Sequence, residues 1–143
     1  MLVPACSTPP QTPEEQVRAT IAQIAAAARQ RDLAGVMRHV SEHYADAEQR
    51  DKRALKGIVA FYFLQQQSVH LLTRIETIEF PQSDRAAVRV LAAMAGRDAA
   101  GDALLPSFHG DIQRFDVTFA REGGGEWRVT SATWQPATAA DLG

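Results

Sequence analysis

Proton-transfer chemistry without a cofactor needs an acid or base held in an apolar pocket, with a donor aimed at the developing oxyanion. Glu76, His70 and Tyr62 are the side chains here that could take such roles. Glu76 sits where the hydrophobic alternation of its segment changes phase, and a break of that kind can re-aim a side chain. His70 has the parity opposite to Val69 and Leu71. A satisfied sheet histidine is the simpler reading and a pocket proton carrier the sharper one. Tyr62 lies in a strongly apolar helical stretch and could donate into a pocket, although a core tyrosine explains it more simply. Asp116 alternates with Phe115 and Val117, so it points away from the core face. His39 and His43 have helical spacing, but there is no Glu-x-x-His context or third ligand, so no metal site is expected. His109 stands before Gly110 in a connection, where exposure is expected. Trp127 and Trp134, with Phe115 and Tyr62, are candidate walls for an apolar ligand and, more simply, core or interface aromatics.

The elements that must position these residues follow a clear order: helix-period segments first, strand-period segments after. Thr12-Pro13-Glu14-Glu15 reads as a capping box, and Val17, Ile21, Ile24 and Ala28 recur at helical spacing behind it. Asp32 is a plausible cap for a second helix with Leu33, Val36, Met37, Val40 and Tyr44 on one face. Ser41, Tyr44 and Asp46 form a polar cluster at its end, where Asp46 could cap the next turn or orient Tyr44. The third helix starts at Asp51 or a neighbour and runs to Gln66. Its stretch Ile58 to Leu64 is apolar nearly all round, which predicts a central helix buried on more than one side, with Phe61 or Phe63 at a second contact.

Val69, Leu71, Thr73 and Ile75 then alternate as in a half-buried strand. Ile78 and Phe80 continue on the other parity, the mark of a bulge near Glu76-Thr77. A turn at Pro81 to Arg85, a strand over Ala86 to Gly96, an irregular connection to Gly110 and a strand over Ile112 to Arg121 follow. Gly123-Gly124-Gly125 is a hairpin turn. It is not a phosphate loop, because it joins two strands with no helix N-terminus after it. The last strand runs from Glu126 to Pro136, with a second phase change before Trp134.

The chain has 143 residues, enough for one domain with a sizeable core. Its net charge of -2, without a basic run, argues against nucleic acid as the main partner. The single cysteine, Cys6, excludes an internal disulfide. Met1 to Cys6 (MLVPAC) resembles the end of a bacterial lipoprotein signal, in which a small residue precedes a lipid-modified cysteine; Pro4 departs from that pattern. The Ser/Thr/Pro-rich stretch after Cys6 reads as a tether. Residues 1–12 are thus expected to be a tether, 13–136 the domain and 137–143 a tail. The expected address is the bacterial periplasm, with membrane attachment only through a lipid on Cys6; the alternative is a cytoplasmic protein with an incidental cysteine.

Over roughly residues 13 to 136, this order of elements resembles the nuclear transport factor 2-like, or SnoaL-like, superfamily. Arg31-Asp32-Leu33 is similar to the turn between its first two helices. FDVTFARE and EWRVTSATW are similar to its last hairpin. Ser41, Tyr44 and Asp46, followed by LKGIVAFYF, resemble a bacterial subgroup of unassigned function. The resemblance implies an α+β, cystatin-like cone of three N-terminal helices packed on a curved antiparallel sheet, a conical pocket, and homodimerisation through the sheet. The functions it implies range from isomerases, dehydratases and polyketide cyclases to non-catalytic binding and assembly domains, so fold alone does not select one. The preferred expectation is non-catalytic binding of a small apolar ligand or a protein partner in the envelope, with no cofactor. The alternative is a cofactor-free isomerase-, dehydratase- or cyclase-type enzyme using Glu76, His70 or Tyr62.

Overall fold

The computed structural model describes residues 12–98 and 111–138. Cys6 and His109, with most of the expected tether and tail, lie outside the described residues.

Helix α1 (Pro13–Arg29) begins as its sequence dictates. The Thr12 hydroxyl accepts from the Glu15 N–H at 3.1 Å, and the Glu15 carboxylate accepts from the Thr12 N–H at 3.0 Å. Val17 and Ala25 on this helix are buried. Asp32 caps α2 (Leu33–Met37) by accepting from the Gly35 N–H at 3.0 Å. A β-carbon at Gly35 would collide with that carboxylate, which accounts for a glycine inside this helix.

The second helix is shorter than its hydrophobic face suggests. It ends at Met37. Val40 instead bridges Val129 in parallel, with His39 C=O accepting from Val129 N–H at 2.8 Å and Ser41 N–H donating to Val129 C=O at 2.9 Å. The edge of the last strand offers unpaired backbone groups, and pairing with them satisfies the chain as well as a further helical turn would. Val40 and Tyr44 still reach the core, but from a connection built of turns. His39 and His43 are therefore not neighbours on a helix face.

Helix α3 (Lys52–Gln65) is capped by Asp51, whose carboxylate accepts from the Ala54 N–H at 2.8 Å. Leu55 and Phe63 are buried, and Val59 and Tyr62 pack partly buried against the core. The opposite side is open: Ile58, Phe61 and Leu64 are 38%, 61% and 75% exposed. The expected central helix is thus covered on one side only. It is α1 that packs on both β1 and β4, while the strand neighbour of α3 is β1.

The strands β1 (Gln66–Gln82), β2 (Arg85–Asp98), β3 (Asp111–Glu122) and β4 (Glu126–Pro136) form one antiparallel sheet in sequence order. One helix touching both edge strands means that the sheet curves around it. The expected bulge is present: the register of β1 with β2 shifts between Ile75 and Thr77, leaving Glu76 as the extra residue. A second shift places Phe119 opposite Val129 and Thr118 opposite Ser131, so Thr130 is extra, a few residues before Trp134. The turn at Gly123–Gly125 carries φ of 82° and 85° at Gly124 and Gly125, conformations that glycine adopts without the strain a β-carbon would bring. Between the bulges, rows cross the sheet on the side facing the helices: Ile75, Val90, Phe115 and Trp134 in one, Ile78, Val88, Val117 and Ala132 in the next.

Candidate functional site

The connection between α2 and α3 is fastened to β4, and this brings a set of polar groups to the helix side of the sheet. Ser41 is fully buried; its hydroxyl donates to the Glu122 carboxylate at 2.7 Å and accepts from the His43 N–H at 3.0 Å. Tyr44 is also buried, and its hydroxyl donates to Asp46 Oδ2 at 2.6 Å with the Ala132 carbonyl 3.3 Å away. The side chain of Asp46 is wholly enclosed. Besides Tyr44 it accepts from the backbone N–H groups of Glu48 and Arg50, at 2.9 and 3.1 Å, and from Arg50 Nε at 2.9 Å. Both sequence readings of Asp46 hold together: it closes the turn and it fixes Tyr44.

The electrostatics follow from this crowding. Burial alone would raise the Asp46 carboxyl, but the hydrogen bonds from Tyr44, Arg50 and Glu48 outweigh it and hold the group down at about 2. Burial, reinforced by the facing carboxylate, pushes the Tyr44 phenol well above its ordinary range. Asp46 is a permanent anion and Tyr44 a permanent neutral donor across the physiological range, so this pair is fixed scaffolding, not an acid–base couple.

Arg50 carries the network to the aromatic wall. Its guanidinium carbon stands 4.4 Å from the centroid of the Trp134 ring, and Trp134 lies 5.8 Å from Phe115. Phe115, Trp134 and Ile75 belong to the helix-facing row, yet each is only partly buried. That side of the sheet therefore keeps accessible apolar surface next to an oriented cation.

The sequence-derived candidates divide between the two faces. Phe115 and Trp134 come together as ring neighbours. Tyr62 is partly buried on the core side of α3. Trp127 is sealed in the core instead of lining a cavity: it is 3% exposed, meets Phe80 edge-on at 5.9 Å, and donates its indole N–H to Gln16 at 2.9 Å. Its place near the start of β4, under α1, explains this. Glu76 and His70 are on the outer face. Glu76 accepts from Arg114 Nε at 3.4 Å, and Arg114 has the parity opposite to Phe115. His70 is exposed and pairs across to Ala95. Glu76, next to the inward Ile75, keeps the outward parity, so the bulge does not bring it to the helix side. Asp116 is outward as expected and accepts from Arg89 Nε at 2.9 Å.

That outer face has its own shallow concavity of about 420 Å³, lined by Thr77, Glu79, Arg89, Asp116, Thr118 and Thr133 among others. Among the described residues, no group of His, Cys, Asp and Glu side chains could hold a metal ion. The residue that sequence reasoning missed is Arg50. Its spacing from Asp46 is visible in the sequence, but nothing in the sequence connects it with Trp134, on the last strand.

No family model matches the chain, and no curated protein matches its sequence. Solved structures do. A scytalone dehydratase-like protein from Novosphingobium aromaticivorans aligns with a TM-score of 0.72 at 11% identity, over 87% of this chain and 84% of that one. A ketosteroid isomerase-like protein from Erwinia carotovora atroseptica aligns with a TM-score of 0.68 at 13% identity, over 86% and 95%. A nuclear transport factor 2-like protein of unknown function from Pseudomonas putida aligns with a TM-score of 0.66 at 18% identity, over 90% and 89%. The chain is thus an α+β protein of helices on a curved antiparallel sheet. It shares this fold with these three structures, the nuclear transport factor 2-like protein among them. At these identities the likeness concerns fold, and neighbours with enzyme-like and unassigned functions share it.

Proposed function

We propose that this chain is a non-catalytic binding domain that takes a small apolar ligand between its helices and its sheet. The observation that carries this reading is the division of chemistry between the faces. Accessible apolar side chains, Phe115, Trp134 and Ile75, lie on the helix side, whereas Glu76 is paired with Arg114 and His70 is solvated on the outer side. A pocket with aromatic walls and few polar groups suits apolar binding. The isomerase-, dehydratase- or cyclase-type alternative needs an acid or base on the helix side, where Tyr62 is the remaining candidate of the three.

Calorimetric titration with decanol tests the reading. Wild-type protein is expected to bind, Trp134→Ala to bind at least tenfold more weakly, and Glu76→Gln and His70→Gln to match wild type. Absence of binding to wild type, or its loss in Glu76→Gln, would sink the proposal.

A protein partner is the second reading, favoured by the exposed stripe of Ile58, Phe61 and Leu64 on α3. A homodimer is the occupant we favour, and light scattering that returns the monomer mass would remove it. Attachment to the bacterial envelope through an acylated Cys6 completes the proposal. Metabolic labelling with a fatty acid is expected to mark wild type and not Cys6→Ser.

A further inference from the structure

Arg50 is held in a way that leaves most of its hydrogen-bonding capacity unspent. The guanidinium has five N–H donors. Its Nε–H is committed to Asp46, and among the described residues no acceptor meets Nη1 or Nη2. The side chain is 24% exposed, so these donors are accessible. They are also fixed. Asp46 grips one edge of the guanidinium, Tyr44 and two backbone N–H groups hold Asp46, and the Trp134 ring lies against the guanidinium at 4.4 Å.

We infer that the site takes a small carboxylate with an apolar tail, the two oxygens of the carboxylate on the Nη1 and Nη2 edge of Arg50 and the tail along Trp134 and Phe115. This rests on the apolar-ligand reading and specifies the ligand's polar end. The planar fork matches a carboxylate in bidentate fashion, and a pre-oriented fork forfeits little side-chain freedom when it binds. The negative charge of Asp46 does not forbid a second carboxylate. All of its close contacts are to donors already in place, and its attraction for the cation acts through the Nε edge. It does reduce the net charge that a ligand meets, so the expected selectivity is moderate. Asp46 acts here through Arg50, as a positioning residue.

The test is the ratio of decanoate to decanol affinity in the full-length chain, measured by calorimetry at low salt and neutral pH. Wild type is expected to prefer decanoate by about tenfold or more. Arg50→Gln is expected to bring the ratio to one or below, and Arg50→Lys, which keeps the charge without the fork, to an intermediate value. A ratio cancels any general loosening of the site in a variant. Raising the salt concentration should lower decanoate affinity more than decanol affinity. Equal affinities in wild type, or a preference that survives Arg50→Gln, overturn the inference while leaving the apolar-ligand reading intact. Failure of wild type to bind either probe overturns both.

Discussion

The two faces of the sheet are built from the same strands, yet they hold opposite chemistry. Facing the helices, the row Ile75, Val90, Phe115 and Trp134 is apolar, half covered, and finished by a guanidinium bound to a buried carboxylate. One residue away along each strand, the outer face carries Arg114 with Glu76, Arg89 with Asp116, and the hydroxyls of Thr77, Thr118 and Thr133. Strand parity alone makes this division. It separates Glu76 and His70 from the surface that could hold an apolar molecule. A titratable side chain close in sequence to a bulge is a catalytic candidate only if the bulge turns it inward, and here Glu76 stays outward, against Arg114.

Substitutions on the two sides should differ accordingly. The largest effect is expected on the helix side. Trp127→Ala removes a sealed aromatic packed on Phe80 and orphans Gln16, and should cost about 3–5 kcal/mol in chemical denaturation. Next comes Asp46→Asn, which replaces an acceptor of several donors by an amide with a donor of its own, at a cost of about 2–3 kcal/mol.

Asp46→Asn also has a pH signature. The folded-state carboxyl, at about 2, lies below its ordinary 3.8, so the stability it contributes is fully present above that ordinary value. It is lost as pH falls through about 2. Acid denaturation curves of wild type should fall in this window more steeply than those of Asp46→Asn, and parallel curves would contradict the assignment.

On the outer face, Glu76→Gln breaks a long, partly covered pair at 3.4 Å and should cost about 1 kcal/mol or less. A penalty as large as that of Asp46→Asn would erase the contrast between the faces. The smallest effect concerns His39, at the margin of the helix side. Burial, then the neighbouring Arg38, lower its pKa from 6.5. The folded state resists protonation there, so stability is expected to decline gently as pH falls below that value. His39→Gln should flatten this decline, read as the change in denaturation midpoint between neutral and mildly acidic buffer.

Much of the framework was legible in the sequence because it depends on short-range rules. The capping box at Thr12 and Glu15, the cap at Asp51, the bulge at Glu76 and the glycine turn are all local, and each is found where the sequence puts it. Misreadings arose where a distant partner decides the outcome. Periodicity carried α2 on to Tyr44, but the edge of β4 captured Val40 first. The apolar run of α3 looked central, but α1 took the place across the sheet. For the site, parity placed Phe115 inside and Asp116 outside. It could not tell that Trp127 would be closed over by α1, nor that Arg50 would meet a tryptophan more than eighty residues away in the chain.

The contrast between the faces is tested most directly by mapping decanol-induced NMR shifts onto the two sides of the sheet. The expected result is a cluster at the Trp134 indole N–H, Phe115 and the Arg50 guanidinium, with Thr77, Thr118 and Thr133 unmoved. Shifts centred on those threonines, or no saturable shifts at all, would contradict the account.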